Sequence, residues 1–131
     1  MPTDMLKLVE ASFAAFNDGD WDTMESLYWP DAEAQAPEGW PEAEDAKGWP
    51  AVRRQFERIK DSWAEDRFEV RSADLLDDGR IFVRGTWYTR GKGSGIEVDV
   101  DTWIIGAARD GKLARMEFYL DEAQAMRAAG K

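Results

Sequence analysis

The chain contains no cysteine and no histidine. Without cysteine there is no disulfide framework and no thiolate nucleophile, and the cytoplasm is the expected compartment. Without histidine, the commonest metal ligand and the commonest base near neutral pH are both missing. Any acid–base chemistry falls to Asp, Glu, Tyr, Lys or Arg in a perturbed environment, and neither a metal nor an organic cofactor is expected. Positive charge is scarce too: 17 Lys and Arg stand against 27 Asp and Glu, a net charge of -10. That balance is the opposite of what a phosphate backbone or an anionic bilayer surface attracts, so no nucleic acid and no membrane is expected as a partner. No apolar run approaches the roughly 20 residues a spanning helix needs, and the N-terminus shows no basic segment leading into an apolar stretch.

What the chain has in quantity is aromatic side chains: seven Trp, six Phe and three Tyr among 131 residues. They point to an aromatic-rich core or an aromatic-lined cavity. The length suits one domain, residues 1–131, with a real core. A composition 44% hydrophobic and 34% charged excludes wholesale disorder.

Hydrophobic spacing predicts a helix over Asp4 to Asn17, with Leu6, Val9, Phe13 and Phe16 on one face. Asn17-Asp18-Gly19 breaks it, and Asp20 is an N-cap for a second helix over Trp21 to Trp29, which Pro30 stops. A short strand over Ala32 to Ala36 precedes an aperiodic loop, Pro37 to Pro50, rich in Pro, Gly and acids. Pro50 opens a third helix carrying Val52, Phe56, Ile59 and Trp63 in one stripe. Strands are predicted over Phe68–Leu76, Ile81–Thr89, Ile96–Ala108 and Leu113–Leu120, with turn residues between them, and a last helix over Asp121–Ala129. Helices first and an antiparallel meander after them make an α+β pattern.

Certain segments, in this order and spacing, resemble a known family. They are NDGDWDTMESLYWPDA, the PEGW loop, GWPAVRRQFERIKDSW as the third helix, RGKGSGIEV between two strands, and RDGKLARMEFYLDEAQAMRAAG at the end. Over nearly its whole length the chain is similar to the SnoaL-like branch of the nuclear transport factor 2-like (NTF2-like) superfamily. The resemblance implies an α+β cone, a curved antiparallel sheet wrapped around three N-terminal helices and enclosing an apolar pocket, in a homodimer packed through the sheet face. Members include ketosteroid isomerases, polyketide cyclases, epoxide hydrolases, dehydratases and non-catalytic binding or assembly domains, so the fold does not fix the function. Few family catalytic residues carry over. Where the isomerases place a tyrosine on the first helix, this chain has Ser12; where they place a carboxylate base, it has Ala36 beside Gln35; their neutral aspartic acid falls near Asp101 to Trp103. Phe118 stands where epoxide hydrolases have a last-strand aspartate, and Glu117 and Asp121 are nearest to the late acid of the cyclases.

Several side chains admit both a chemical and a purely structural reading. Glu97, Asp99 and Asp101 alternate along one strand and share a face. Asp101 is either a buried acid beside Trp103, its pKa raised by desolvation, or a solvated acid with Val98, Val100 and Ile104 turned inward. Trp103 and Ile105 share the acids' parity, so a bulge switches the face or a partner subunit covers that end. Arg84, between Val83 and Gly85, either orients a ligand carboxylate or enolate or pairs with Asp101 or Glu117. Tyr28, Tyr88 and Tyr119 are core aromatics or donors to a developing oxyanion. Trp40, stranded in an acidic loop, is expected to fold over the pocket mouth. The expected pocket wall is Phe13, Phe16, Trp40, Phe56, Trp63, Trp87, Trp103, Met116 and Phe118. The expected ligand is a small apolar or amphipathic molecule. An enzyme would do cofactor-independent cyclisation, isomerisation or dehydration next to a carbonyl, with Asp101 as acid or base, Tyr119 or Tyr28 polarising the oxygen and Arg84 setting their charge. The alternative is a ligand-binding or assembly module without turnover.

Overall fold

Helix α1 (Pro2–Asp18) buries Met5, Val9, Ser12, Phe13 and Phe16, spaced by three or four residues along one face. Gly19 ends it at φ +67, a left-handed conformation that glycine adopts without strain. Asp20 then caps α2 (Trp21–Leu27), its carboxylate accepting from the Thr23 backbone N–H at 3.2 Å. The computed structural model describes residues 2–38 and 44–131.

The second helix is shorter than its periodicity predicts. Tyr28 is already extended, at φ -117 and ψ 148, and begins strand β1 (Tyr28–Gln35). One more helical turn is given up so that the Tyr28 ring packs against Trp49, centroids 5.0 Å apart. Pro30 is therefore no helix stop. It sits inside β1, where the register with a neighbouring strand slips between Tyr28 and Glu33, and its missing N–H breaks no ladder bond there.

The chain continues through β2 (Ala46–Lys47), α3 (Trp49–Asp61), β3 (Trp63–Leu75), β4 (Ile81–Gly91), β5 (Glu97–Arg109), β6 (Lys112–Tyr119) and α4 (Glu122–Ala128). Pro50 lies in the first turn of α3, as its missing donor allows. Trp63 opens β3 opposite Gly91 instead of closing the helix.

The six strands lie in the order β2-β1-β6-β5-β4-β3. All neighbours are antiparallel except β1 and β6, which run parallel. The expected cone, an antiparallel sheet curled around the helices to enclose a pocket, is corrected on both counts: the sheet is mixed, and it is open. No hairpin joins β1 to β6, so nothing forces them antiparallel, and β1 pairs in parallel with the edge of β6 that β5 leaves free. β2 occupies the other edge of β1, so β3, at the far end, has no strand to meet. The β3 edge carries Glu65, Arg67, Glu69, Arg71 and Asp74, charges that discourage further pairing.

Helices α1, α2 and α3 cover one face of this sheet and α4 part of the other. Ile81, Val83 and Trp87 of β4, Ile104 of β5 and Met116 and Phe118 of β6 turn toward α1–α3. Phe82, Trp103, Ile105 and Tyr119 turn away, toward Ala125 and Ala129 at the α4 end. At Gly85 the Phe68 ring crosses from β3 so closely that a Cβ would lie 2.3 Å from it, which is how that ring reaches the helix side. No helix among the described residues is long and apolar enough to cross a membrane.

Candidate active-site cavity

Between α1–α3 and the sheet lies a cavity of about 90 Å³. Phe13, Phe16, Phe56, Phe68, Trp87 and Phe118 give it aromatic walls, and it opens where Ala36, Pro37, Glu44 and Leu120 meet solvent. Three of its lining side chains carry the chemistry. Ser12 Oγ and the Tyr28 hydroxyl lie 3.0 Å apart, both buried. Burial pushes the Tyr28 phenol up to about 12, against a smaller opposing pull from Ser12, so near neutral pH it is a neutral donor and acceptor. Gln55 of α3 is only 6% exposed, and its Nε2 has no hydrogen-bond partner. Two further polar residues among the lining are already committed: the Thr102 hydroxyl donates to the Val100 carbonyl at 3.3 Å, and Gln35 Oε1 accepts from Arg115 at 3.1 Å. Glu44 is the one carboxylate among the described lining residues, and it stands exposed at the mouth.

A buried ion pair stands behind the wall. The Asp66 side chain, 2% exposed, accepts from Lys60 Nζ at 2.7 Å and from Trp87 Nε1 at 2.9 Å. Lys60 also lies over the Phe16 ring, 4.6 Å from its centroid. The pair fixes the orientation of Trp87, and through it part of the cavity surface.

The side chains expected to do chemistry are not brought together. Tyr28 is in the cavity, whereas Asp101, Arg84 and Tyr119 are on the opposite face of the sheet. The β4–β5 register runs unbroken from Ile81–Gly106 to Arg90–Glu97, so no bulge turns the acids inward. Asp101 is exposed and accepts from the Thr86 hydroxyl at 3.3 Å. Arg84 does not pair with Asp101 or Glu117 and has no partner among the described residues. Glu117 is taken by Arg115 Nε, at 3.2 Å, and by the Tyr119 hydroxyl, at 2.6 Å. Burial first, and then that carboxylate, pushes Tyr119 up to about 12. Trp103 and Ile105, awkward by parity, are covered by α4 of the same chain.

The expected wall residues divide in the same way. Phe13, Phe16, Phe56, Trp87 and Phe118 line the cavity. Trp103 is on the far face, Trp63 stands edge-on behind Trp87 with centroids 5.9 Å apart, and Met116 is fully buried core that does not reach the cavity. Trp40 lies outside the described residues. Gln55, by contrast, went unsuspected in the sequence. The signal was there: it falls three residues after Val52 and four before Ile59, inside the α3 apolar stripe, where a polar residue is out of place. Among the described residues no three acidic side chains converge to hold a metal ion.

The profile of the SnoaL-like domain family matches residues 9–116. No curated protein matches the chain. Among solved structures it is similar to TerC, co-crystallised with polyporic acid, with a TM-score of 0.79 and 24% identity over 98% of this chain and 99% of that one. Bal32a, from a soil-derived mobile gene cassette, gives a TM-score of 0.82 at 22% identity over 98% of each chain. SalBIII, an epoxide hydrolase/cyclase-like enzyme in pyran ring formation in polyether salinomycin, gives 0.79 at 17% identity over 93% of this chain and 94% of that one. At these identities the likeness to the three structures speaks for the fold alone. The family profile spans most of the chain, and the chain therefore belongs to the SnoaL-like domain family.

Proposed function

We propose that this protein holds a small apolar or amphipathic molecule in the cavity between α1–α3 and the sheet. The observation that carries the reading is the composition of that cavity, an aromatic enclosure with a hydroxyl pair and an orphaned amide and no buried charge. The fold is shared with TerC, crystallised with polyporic acid, and with SalBIII, named for pyran ring formation, which supports small-molecule handling. Binding is favoured over turnover, because chemistry next to a carbonyl needs an acid and a base at one carbon. Of the four residues considered for that role, only Tyr28 reaches the cavity. Intrinsic tryptophan fluorescence tests the reading, since Trp87 is in the wall. Saturable quenching by one class among steroids, aromatic polyketide-like ketones and terpenoids is expected; a flat response to all three overturns it.

We also propose a homodimer through the outer face of β3–β5. Arg84, unpartnered among the described residues, stands opposite Trp103, two residues along β5 from the exposed Asp101 on the same face, so two copies related by a two-fold axis can exchange arginine–carboxylate pairs. Sedimentation at micromolar concentration should give a dimer, and a monomer there removes the proposal.

A further inference from the structure

Granting that the cavity is the binding site, we propose that it selects a neutral ligand by its carbonyl oxygen, with Gln55 Nε2 and the spare hydroxyl hydrogen of the Ser12–Tyr28 pair as the donors. The two hydroxyls carry two hydrogens between them, and the 3.0 Å bond that joins them uses one. Whichever hydroxyl donates, the other keeps an O–H that no acceptor among the described residues takes up. The Gln55 amide adds donors of its own, and its buried Nε2 meets no acceptor. Thr102 relieves neither, because its hydroxyl already donates to a backbone carbonyl.

A buried amide left in this state is costly, and a helix position chosen for stability alone would carry an aliphatic residue. Gln55 sits at such a position, between Val52 and Ile59 in the stripe that α3 turns inward. Ser12, Tyr28 and Gln55 all line the one cavity, and a carbonyl oxygen entering it, with two lone pairs, has an acceptor site for the amide and one for the spare hydroxyl. A carboxylate is excluded by charge: no cationic side chain is among the described lining residues, and Glu44 at the mouth repels anions. Among the described residues two cations touch lining residues and both are paired: Lys60, over the Phe16 ring, with Asp66, and Arg115, which donates to Gln35, with Glu33 and Glu117. An alcohol is a poorer fit than a ketone, since it brings another hydrogen to a site already oversupplied. Size sets the scale. A cavity of roughly 150 Å³ holds benzene, so about 90 Å³ encloses only part of such a ring, the carbonyl end of a small ring or of a longer molecule whose remainder lies at the mouth past Pro37, Glu44 and Leu120.

Methionine-methyl NMR tests this with probes of matched shape. Met24 lines the cavity and Met126 is exposed on α4, so one reports binding and the other serves as a reference. The full chain, wild type and Gln55→Leu, is titrated with cyclopentanone, methylcyclopentane, cyclopentanol and cyclopentanecarboxylate. The expected result is a saturable shift of Met24 alone with cyclopentanone, weakened about tenfold in Gln55→Leu, with methylcyclopentane unaffected by the substitution. Cyclopentanol should bind more weakly than the ketone, and the carboxylate should leave Met24 unmoved. Gln55→Leu should also melt at a higher temperature than wild type, because it removes an orphaned amide; Gln55→Met serves if the leucine packs badly. Equal losses for ketone and hydrocarbon, no loss for the ketone, tighter binding of the alcohol, or binding of the carboxylate each overturn the inference. If methylcyclopentane moves Met24 while ketone affinity ignores Gln55, the pocket reading survives and only the carbonyl selection fails. No Met24 shift with any probe overturns both.

Discussion

The two faces of this sheet are built from the same strands and obey opposite rules. Toward α1–α3 most side chains are aromatic or aliphatic; the buried polar side chains that line the cavity, Ser12, Tyr28, Gln55 and Thr102, are neutral, and the buried acid on that side, Asp66, is paired with Lys60 behind the wall. On the other face, beyond the patch that α4 covers, charge dominates. Arg115 reaches Glu33 at 2.9 Å, Gln35 at 3.1 Å and Glu117 at 3.2 Å; Arg71 bonds both Thr86 and Tyr88; Arg67 lies 4.8 Å over the Tyr88 ring. The difference shows where specificity has to come from. In water, charged groups find partners cheaply and exchange them. In the apolar cavity an unpaired amide is conspicuous, because leaving it without an acceptor is costly there.

The sharpest way to break the comparison is to truncate across it. Ile104→Ala, at a fully buried helix-side position, is expected to lower stability by about 2–5 kcal/mol in chemical denaturation. A loss as small as a surface substitution causes would mean that the helix face is not the core. The next effect is one of pH. The Tyr28 phenol has an ordinary value of 10.0 and is held to about 12 in the fold. Between those values the unfolded chain has released a proton that the folded one keeps, so stability falls as pH rises. The contribution is intact below pH 10 and shrinks by up to about 1.4 kcal/mol per pH unit above it. Unfolding curves from pH 9 to pH 12 should show that slope, and Tyr28→Phe should flatten it. Tyr119, also pushed up to about 12 but half-buried beside a carboxylate, is screened by water, so Tyr119→Phe should flatten it less.

The smaller effects belong to the outer face. Arg115→Met, which removes three partners from a half-exposed network, should cost at most about 1 kcal/mol, and added salt should reduce that cost. Asp101→Asn should change the stability of the single chain by no more than roughly 0.5 kcal/mol, weaken only the proposed dimer, and leave Met24 shifts with cyclopentanone untouched. A loss of probe binding in that variant would make the two faces one site.

Much of the fold could be read from local pattern. The three-and-four spacing of Val9, Phe13 and Phe16, the cap at Asp20, the proline at the start of α3 and the glycine-bearing turns before β4 and β6 are short-range features, and each sits where its chemistry predicts. The errors are of one kind. Tyr28 and Trp29 left the helix, and Trp63 moved from helix to strand, because partners distant in sequence, Trp49 for Tyr28 and Gly91 for Trp63, outweighed local periodicity. The residues that looked most chemical in the sequence, Asp101 and Arg84, were conspicuous as charges among apolar neighbours. An alternating strand gives every such charge a solvated face to occupy, and these took it.

Composition excluded thiol and imidazole chemistry, and local pattern located the four helices, five of the six strands and the aromatic character of the core, missing the short β2 inside the expected loop, since these features depend on residues a few positions apart. Tertiary structure alone decided that β1 runs parallel to β6, that the sheet stays open, that α4 rather than a second subunit covers Trp103, and that Gln55 faces the cavity without a partner. The physical reason is that parity and periodicity say only which side chains share a face. Which face becomes dry depends on what packs against it, and that is a matter of contacts between residues far apart in the chain.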